Sequence, residues 1–508
     1  MQANKKAGTM VAPSDNASPL LPEFFACRSI LITGGTGFIG KVLVARVLAT
    51  CPRVARLHLL LRDKRGLAPR ERLAQLQQSQ VFDGIREHCP EQLDKLSLVA
   101  GDVSLPHLGL SQEAIEELKE VSLVIHCAAT VKLEERLATA ADQNVGSVLS
   151  LLDLCDRLPN LQALVHVSTA FSNSDQLVVE ERVYPPPMGS GQLLAAVRAL
   201  PPHLVDDITP RLIFPKPNTY VFTKAIAESA IEQRQTRHYS VSIVRPSVVI
   251  SSHRHPLPGW TEGLSGVHGI VVGIGQGVFH TFRSVGKTRL DMIPVDIVAD
   301  TLLAVCWETA SDMCPEMRVY NCSSQENPTQ LQALTGACTA ALRTHHPFDR
   351  ALWYPFLLHV ENRYWYMLLE LLLQTAPLYT AEYLTRLCRF KSRINLITVS
   401  RRLHAMNAVL NYFARNEWHF PNDNVRRLRA RLSPHDRAIY NLDAKTVNWD
   451  EHYVNMAKGM RKYLLRQSDD GMEHARRRMG RLRSAHYVLL LITSMLSCYI
   501  LLASMSVY

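Results

Sequence analysis

The stretch Ser29–Val47, SILITGGTGFIGKVLVARV, constrains this chain more than any other. Ile30, Leu31 and Ile32 form the short apolar run of a buried strand, which stops at Thr33-Gly34-Gly35-Thr36. A helical pattern through Phe38, Ile39, Val42, Leu43 and Val47 follows at once. In such a strand, turn and helix, Gly34 permits the tight turn and Gly37 lets a pyrophosphate approach the helix N-terminus. Gly40 lets helix and strand pack closely. The spacing is G-x-x-G-x-x-G, one residue away from the G-x-G-x-x-G dinucleotide fingerprint. A turn closed by glycines for packing alone needs fewer of these features, so the stretch points to a bound dinucleotide.

Alternating strands and helices continue from there. Strands are expected at Val54–Arg62, Leu96–Asp102, Val121–Ala129 and Leu161–Val167, with helices between them, which implies a Rossmann-type doubly wound parallel sheet in an α/β fold. In such a sheet the end of the second strand lies beside the adenosine ribose. Arg62 stands there with Lys64 and Arg65, favouring the 2′-phosphate of NADP over the 2′-hydroxyl of NAD, although Asp63 pulls the other way. Asp102, with Val103 after it, is placed to meet adenine, and Cys127-Ala128-Ala129 is small enough for a cofactor to lie against the backbone. Cys127 itself reads as a small buried residue, not a nucleophile.

The fifth strand ends in Ser168-Thr169, and about fifty residues later Tyr220 and Lys224 stand four apart in a helical stretch, on one face and one turn from each other. A free tyrosine has a pKa of about 10, and a nearby ammonium is expected to move it toward neutrality. Thr169 or Ser168 would hold a substrate oxygen for the tyrosine, opposite a hydride donor. The 20 histidines include no H-E-x-x-H pattern, so no metal is expected.

Taken together, TGGTGFIG, GDV at Asp102, CAATVKLEE at Cys127–Glu135, HVSTAFSN at His166–Asn173, VYPPP at Val183–Pro187, PNTYVFTKAIAE at Pro217–Glu228 and IVRPSVV at Ile243–Val249 resemble the extended short-chain dehydrogenase/reductases, and among them the fatty acyl-CoA reductases. PGW at Pro258–Trp260, IPVD at Ile293–Asp296 and VYNCSSQENP at Val319–Pro328 continue the likeness. NEWHFPNDN at Asn416–Asn424, LSPHDR at Leu432–Arg437 and NWDEHYVNMAKGMRKYLL at Asn448–Leu465 are similar to that family's C-terminal reductase-associated domain. Gly35 stands where alanine is usual, Phe171 where tyrosine is usual, and Thr335–Phe390 matches least.

The resemblance implies reduction of a long- or very-long-chain acyl-CoA by NADPH to a primary alcohol through an aldehyde, with release of CoA. It implies Tyr220 and Lys224 as the active pair and Thr169 or Ser168 as the third member. The cofactor set it implies comprises Thr33, Gly34, Gly35, Thr36, Gly37, Phe38, Ile39 and Gly40 of the turn, Arg62, Lys64 and Arg65, Asp102 and Val103, and Ala128, Ala129 and Lys132, together with Tyr220 and Lys224. Two other readings stay open: a membrane-bound sterol or sugar-nucleotide dehydrogenase of the same extended class, and a non-catalytic NADP-binding membrane scaffold.

The expected layout is a mobile tail over 1–24, a reductase domain over 25–334, a mostly helical reductase-associated domain over 335–484 and a C-terminal transmembrane anchor over 485–508. The run from Tyr487 to Tyr508 carries no charge and follows Arg476, Arg477, Arg478, Arg481 and Arg483, which predicts a single-pass helix with the catalytic part in the cytosol, at the endoplasmic reticulum before the peroxisome or lipid droplet. The net charge of +10 then fits a lipid bilayer, not nucleic acid, because no basic-aromatic array occurs elsewhere. A homo-oligomer is compatible with this reading. The 11 scattered cysteines fit free thiols. Val183–Pro217, rich in proline, reads as a cap over the cleft or a surface loop. Arg363–Tyr379 reads as a buried core helix interrupted by Glu370 and Gln374, with an interfacial helix or an acyl-tunnel wall as alternatives.

Overall fold

The computed structural model describes residues 20–234, 237–389 and 395–505, without the side chains of 500, 501, 503 and 504. The tail expected over 1–24 lies outside the described residues as far as 19, as does Tyr508 at the other end.

Seven strands form the main sheet: β1 Ser29–Thr33, β2 Arg56–Leu61, β3 Leu96–Ala100, β4 Val121–His126, β5 Ala163–Val167, β6 Ser240–Pro246 and β7 Arg318–Cys322. They lie in the order β7-β6-β5-β4-β1-β2-β3, and every pairing is parallel. The order reverses between β1 and β4, which opens a crevice at their carboxyl ends. Because side chains alternate along a strand, the sheet feeds two cores. Ile30, Ile32, Leu57, Leu59, Leu123 and Ile125 meet the helices Phe38–Thr50 and Val295–Asp312 on one face. Leu31, Leu60, Val124 and Leu164 meet Ser147–Cys155 and Thr219–Glu232 on the other. The doubly wound sheet expected from the sequence is therefore present, with β6 and β7 added from segments that were read only as motifs.

The C-terminal region is helical and folds back onto the sheet. Arg46 of the Phe38–Thr50 helix is buried against Asp300, with Nε 2.7 Å from Oδ1, and also donates to the Ile439 carbonyl at 2.7 Å. Gly259, in the PGW turn with φ +74°, lies under the helix Trp449–Gly459 so closely that a Cβ on Gly459 would stand 1.8 Å from the Gly259 carbonyl. Only two glycines permit that backbone contact.

Two expectations are corrected here. Val183–Pro217 is not a lid: it forms the helices Ser190–Ala199 and Pro202–Leu212, whose Leu193, Leu194, Val197 and Val205 are buried in the second core. The expected C-terminal transmembrane helix, and with it the single-pass placement at the endoplasmic reticulum, is not supported, because among the described residues no helix is long and apolar enough to cross a membrane. The helix Met472–Met505 begins with the arginine cluster.

Candidate active site

The turn after β1 is built as its glycines require. Gly34 has φ +71°, and a Cβ there would lie 2.7 Å from the Ala128 nitrogen, so Ala128 at the end of β4 is packed on the turn itself. A Cβ on Gly40 would stand 2.3 Å from the Gly34 carbonyl, which is the close helix–strand contact expected. Gly37 caps the helix Phe38–Thr50 without a side-chain cap, leaving the first N–H groups free for an anion. A Cβ on Gly37 would meet only the Gly34 carbonyl, at 3.1 Å, and would project into the cleft that Gly37 lines. These features fit a dinucleotide pyrophosphate. Thr33 lies beneath the turn, its hydroxyl 2.7 Å from His126 Nδ1. Gly35 packs on Leu59.

At the end of β2 the basic residues gather as expected, with one addition. Arg62 donates to Asp102 at 3.1 Å, while Asp102 also accepts the Ser104 N–H and hydroxyl. Burial opposes ionisation of Asp102, but the Ser104 contacts and Arg62 outweigh it and hold its carboxyl below the usual range. The carboxylate is thus already engaged by Ser104 and Arg62, and Val103 is packed on the second core. Arg72, on the helix Pro69–Gln77, reaches back to the Arg62 carbonyl at 2.7 Å and the Thr36 hydroxyl at 2.7 Å, bringing a guanidinium to the glycine turn. Burial and the neighbouring Arg72, Arg62 and Arg65 push Lys64 below its ordinary value, which reports how closely these cations crowd. No motif in the sequence marks Arg72; its only signal is a cation within the first helix after β2.

Tyr220 and Lys224 lie on the helix Thr219–Glu232, whose N-cap Asn218 accepts the Val221 N–H at 2.9 Å. Lys224 is buried and donates to the Val167 carbonyl at 2.8 Å, tying the helix to the end of β5. Burial pushes Lys224 down to about 8, against the pull of Glu228. Burial pushes Tyr220 up to about 12, partly offset by the Thr169 hydroxyl and reinforced by Glu228. The expected fall of the tyrosine pKa is therefore not what the protein alone produces, because burial disfavours the phenolate and the Glu228 carboxylate adds to that effect.

Strand geometry gives Ser168 and Thr169, which both line the cavity, different partners. Consecutive side chains of extended backbone point opposite ways, and Thr169 is extended at φ −149°, ψ 144°. Its hydroxyl sits with Tyr220, whereas the Ser168 hydroxyl donates to Glu228. Glu228 forms a fully buried pair with Arg245, Oε2 to NH2 at 2.6 Å, and Arg245 continues to the carbonyls of Glu180 and Arg182 at 2.9 Å. Asn144, in a π-turn over Asp142–Gly146, was not foreseen; it clamps Thr130 and donates to the Thr223 hydroxyl at 3.0 Å on the tyrosine helix. Burial pushes the Cys127 thiol up to about 12, in keeping with a non-nucleophilic residue.

A single cavity of about 660 Å³ joins these parts. It runs from Gly34, Gly37, Phe38, Ile39 and Gly40 past Ala129, Lys132, Thr169 and Tyr220 into an apolar arm. Val267, Ile270, Phe282 and Leu290 line that arm, and so do Ala405, Met406, Val409, Leu410 and Phe413. The residues from Ala405 to Phe413 come from the helix Leu396–Asn411 and the stretch after it. The spacing of Val399, Leu403, Met406, Leu410 and Phe413, alternately four and three, was a sequence signal for that apolar face. Phe171 holds the region together, edge-on to Phe413, Trp418 and Phe420 at 5.2–5.4 Å.

Residues 32–302 match the NAD-binding family described as male sterility protein, and 373–467 match its companion family, Sterile, described in the same words. Fatty acyl-CoA reductase 1 of Xenopus laevis is 34% identical over 469 residues, covering 92% of this chain and 90% of that protein. Fatty acyl-CoA reductase 2 of Bos taurus is 32% identical, covering 92% and 91%. Among solved structures, the reductase domain of a nonribosomal peptide synthetase from Mycobacterium tuberculosis covers 87% of this chain and 94% of its own at a TM-score of 0.56 and 18% identity. The terminal R domain of the myxalamid biosynthetic pathway gives a TM-score of 0.54, also at 18% identity, covering 86% and 90%. These two structures share the fold, a Rossmann-like parallel sheet with a helical C-terminal region. With both parts of the chain matched and 92% of its length aligned to these relatives, the protein belongs to the fatty acyl-CoA reductase family.

Proposed function

We propose that the chain reduces long-chain fatty acyl-CoA to the primary alcohol through the aldehyde, with NADPH as the reductant. The observation that supports this reading is the continuous cavity, whose lining includes the glycine turn, Thr169 and Tyr220, and an apolar arm. The cluster of Arg62, Lys64, Arg65 and Arg72 supports NADPH over NADH, since a 2′-phosphate would meet several cations there.

A bound nicotinamide dinucleotide supplies hydride. The glycine turn and the uncapped helix end would hold its pyrophosphate, and Lys224 its ribose. Thr169 and Tyr220 orient the thioester carbonyl, with the Tyr220 O–H donating to its oxygen. A phenol pushed up to about 12 is protonated at neutral pH, so Tyr220 enters the reaction as an acid. As the carbonyl carbon gains hydride, the phenolic proton passes to the oxygen. Collapse of that adduct expels CoA as its thiol and leaves an aldehyde. A second hydride and a second proton at the same oxygen give the alcohol. Lys224, held at about 8, is still mostly protonated at pH 7 and lies one helical turn away as a source of that proton.

The test is incubation of the purified chain with NADPH or NADH and a series of acyl-CoAs of increasing length, following CoA, aldehyde and alcohol. Two equivalents of NADPH consumed per CoA released, with alcohol as product, is the expected result. No reduced product at any length would overturn the reading, and equal rates with NADH would overturn the assignment of the basic cluster.

A further inference from the structure

The segment Arg363–Leu387 is folded inside out. Its buried positions are Tyr366, Glu370, Gln374, Leu378 and Glu382, a stripe at a spacing of four that is mostly polar. A π-turn over Leu371–Thr375 adds a residue to the helix and keeps that stripe on one side. Hydrogen bonds fix its direction. The Tyr366 hydroxyl accepts from Asn407 at 2.6 Å, Gln374 accepts the His280 N–H at 3.2 Å, and Glu382 accepts the Leu396 N–H at 2.9 Å. The opposite side, which those bonds turn outward, carries Tyr364, Trp365, Leu368, Leu372, Tyr383 and Leu387, between 44 and 80% exposed. An isolated exposed leucine means little, but a contiguous apolar face held outward while carboxylates point inward needs a partner.

We propose that this face rests on a lipid surface with anionic headgroups, as an in-plane contact that does not cross it. Two observations select that occupant over a protein surface. The exposed charges between 362 and 389 are Arg363, Arg386 and Arg389; Arg386 is paired with the buried Glu382 at 2.9 Å, and Glu370 is buried as well. Tyrosine and tryptophan beside aliphatic residues and cations is the side-chain mixture suited to a headgroup boundary. In addition, the segment packs on the helix Leu396–Asn411, whose other side lines the apolar arm of the cavity, so lipid contact would bring a bilayer next to the place that takes an acyl chain. The contact itself does not depend on the reductase reading.

The test uses the full chain and vesicles of phosphatidylcholine with brominated acyl chains, with and without phosphatidylserine. Bromine quenches tryptophan fluorescence only within the bilayer, and Trp365 is on the proposed face. The expected result is quenching that strengthens with phosphatidylserine and disappears in Trp365→Phe. Leu368→Glu combined with Leu372→Glu should raise the lipid concentration for half-quenching by about tenfold or more. Activity on a water-soluble short-chain acyl-CoA should stay unchanged in both variants. Quenching that survives Trp365→Phe, or vesicle binding through Tyr487–Tyr499 with Trp365 unquenched, would overturn the proposal. So would a dimer that the double substitution converts to monomer without altering quenching, since a second copy would then cover the face.

Discussion

The sheet half of the molecule and the segment Arg363–Leu387 bury polar groups for different purposes. Around β5 and the tyrosine helix, the core is apolar and the buried polar groups form a chain leading from Arg245 through Glu228 and Ser168 to the neighbourhood of Lys224 and Tyr220. In Arg363–Leu387, the buried Glu370, Gln374 and Glu382 do not line the cavity and set which way the helix faces. The contrast teaches that burial of a polar residue identifies a constraint, while what it touches identifies the purpose.

The contrast breaks most easily at the chemistry. Tyr220→Phe should lower kcat by about 10²–10⁴ with an unchanged melting temperature, whereas Gln374→Ala should leave turnover within about twofold; steady-state kinetics and calorimetry separate the two. A comparable loss of turnover in Gln374→Ala would abolish the distinction. Next comes the buried pair: Arg245→Met strands the Glu228 carboxylate and should cost about 3–5 kcal/mol of stability, read by denaturant titration. A third comparison matches two leucines. Leu303→Ala in the first core should cost about 2–5 kcal/mol, and Leu372→Ala on the outward face about 0.5 kcal/mol or less, although both remove the same atoms.

The smallest effect is a pH dependence. Lys224 has a folded value of about 8 against an ordinary 10.5, so the unfolded chain binds more protons between those limits. Its burial therefore weakens the fold below about pH 8, and that penalty fades as pH rises through the window. Relative to Lys224→Met, the wild type should gain about 1–2 kcal/mol between pH 8 and 10, read by denaturant titration across that range.

What the sequence disclosed follows from how local each feature is. The glycine turn, the first five strands and the Tyr220–Lys224 spacing are each written within a few residues, and the structure places them together. Ser168 and Thr169 were indistinguishable because adjacency in sequence conceals opposite directions in extended backbone. The apolar arm escaped because its walls come from positions as distant as Val131 and Phe413. Periodicity found a helix near Arg363–Tyr379, but periodicity reports two faces without saying which is inside. Glu370 and Gln374, read as interruptions of a core helix, are in fact its inward side. The terminal apolar run was legible as helix, but among the described residues no helix is long and apolar enough to cross a membrane.

The contact of Gly259 with Gly459 has a consequence for how the protein is made. Those glycines are two hundred positions apart, and Leu20 at the start of the described chain is held by Asp436 at 2.8 Å. The main sheet can form while the ribosome is still translating, but part of the cavity wall waits for residues beyond 400. During that interval Phe171 and the open apolar arm lack their cover, so late synthesis is the stage at which a chaperone would have most to grip.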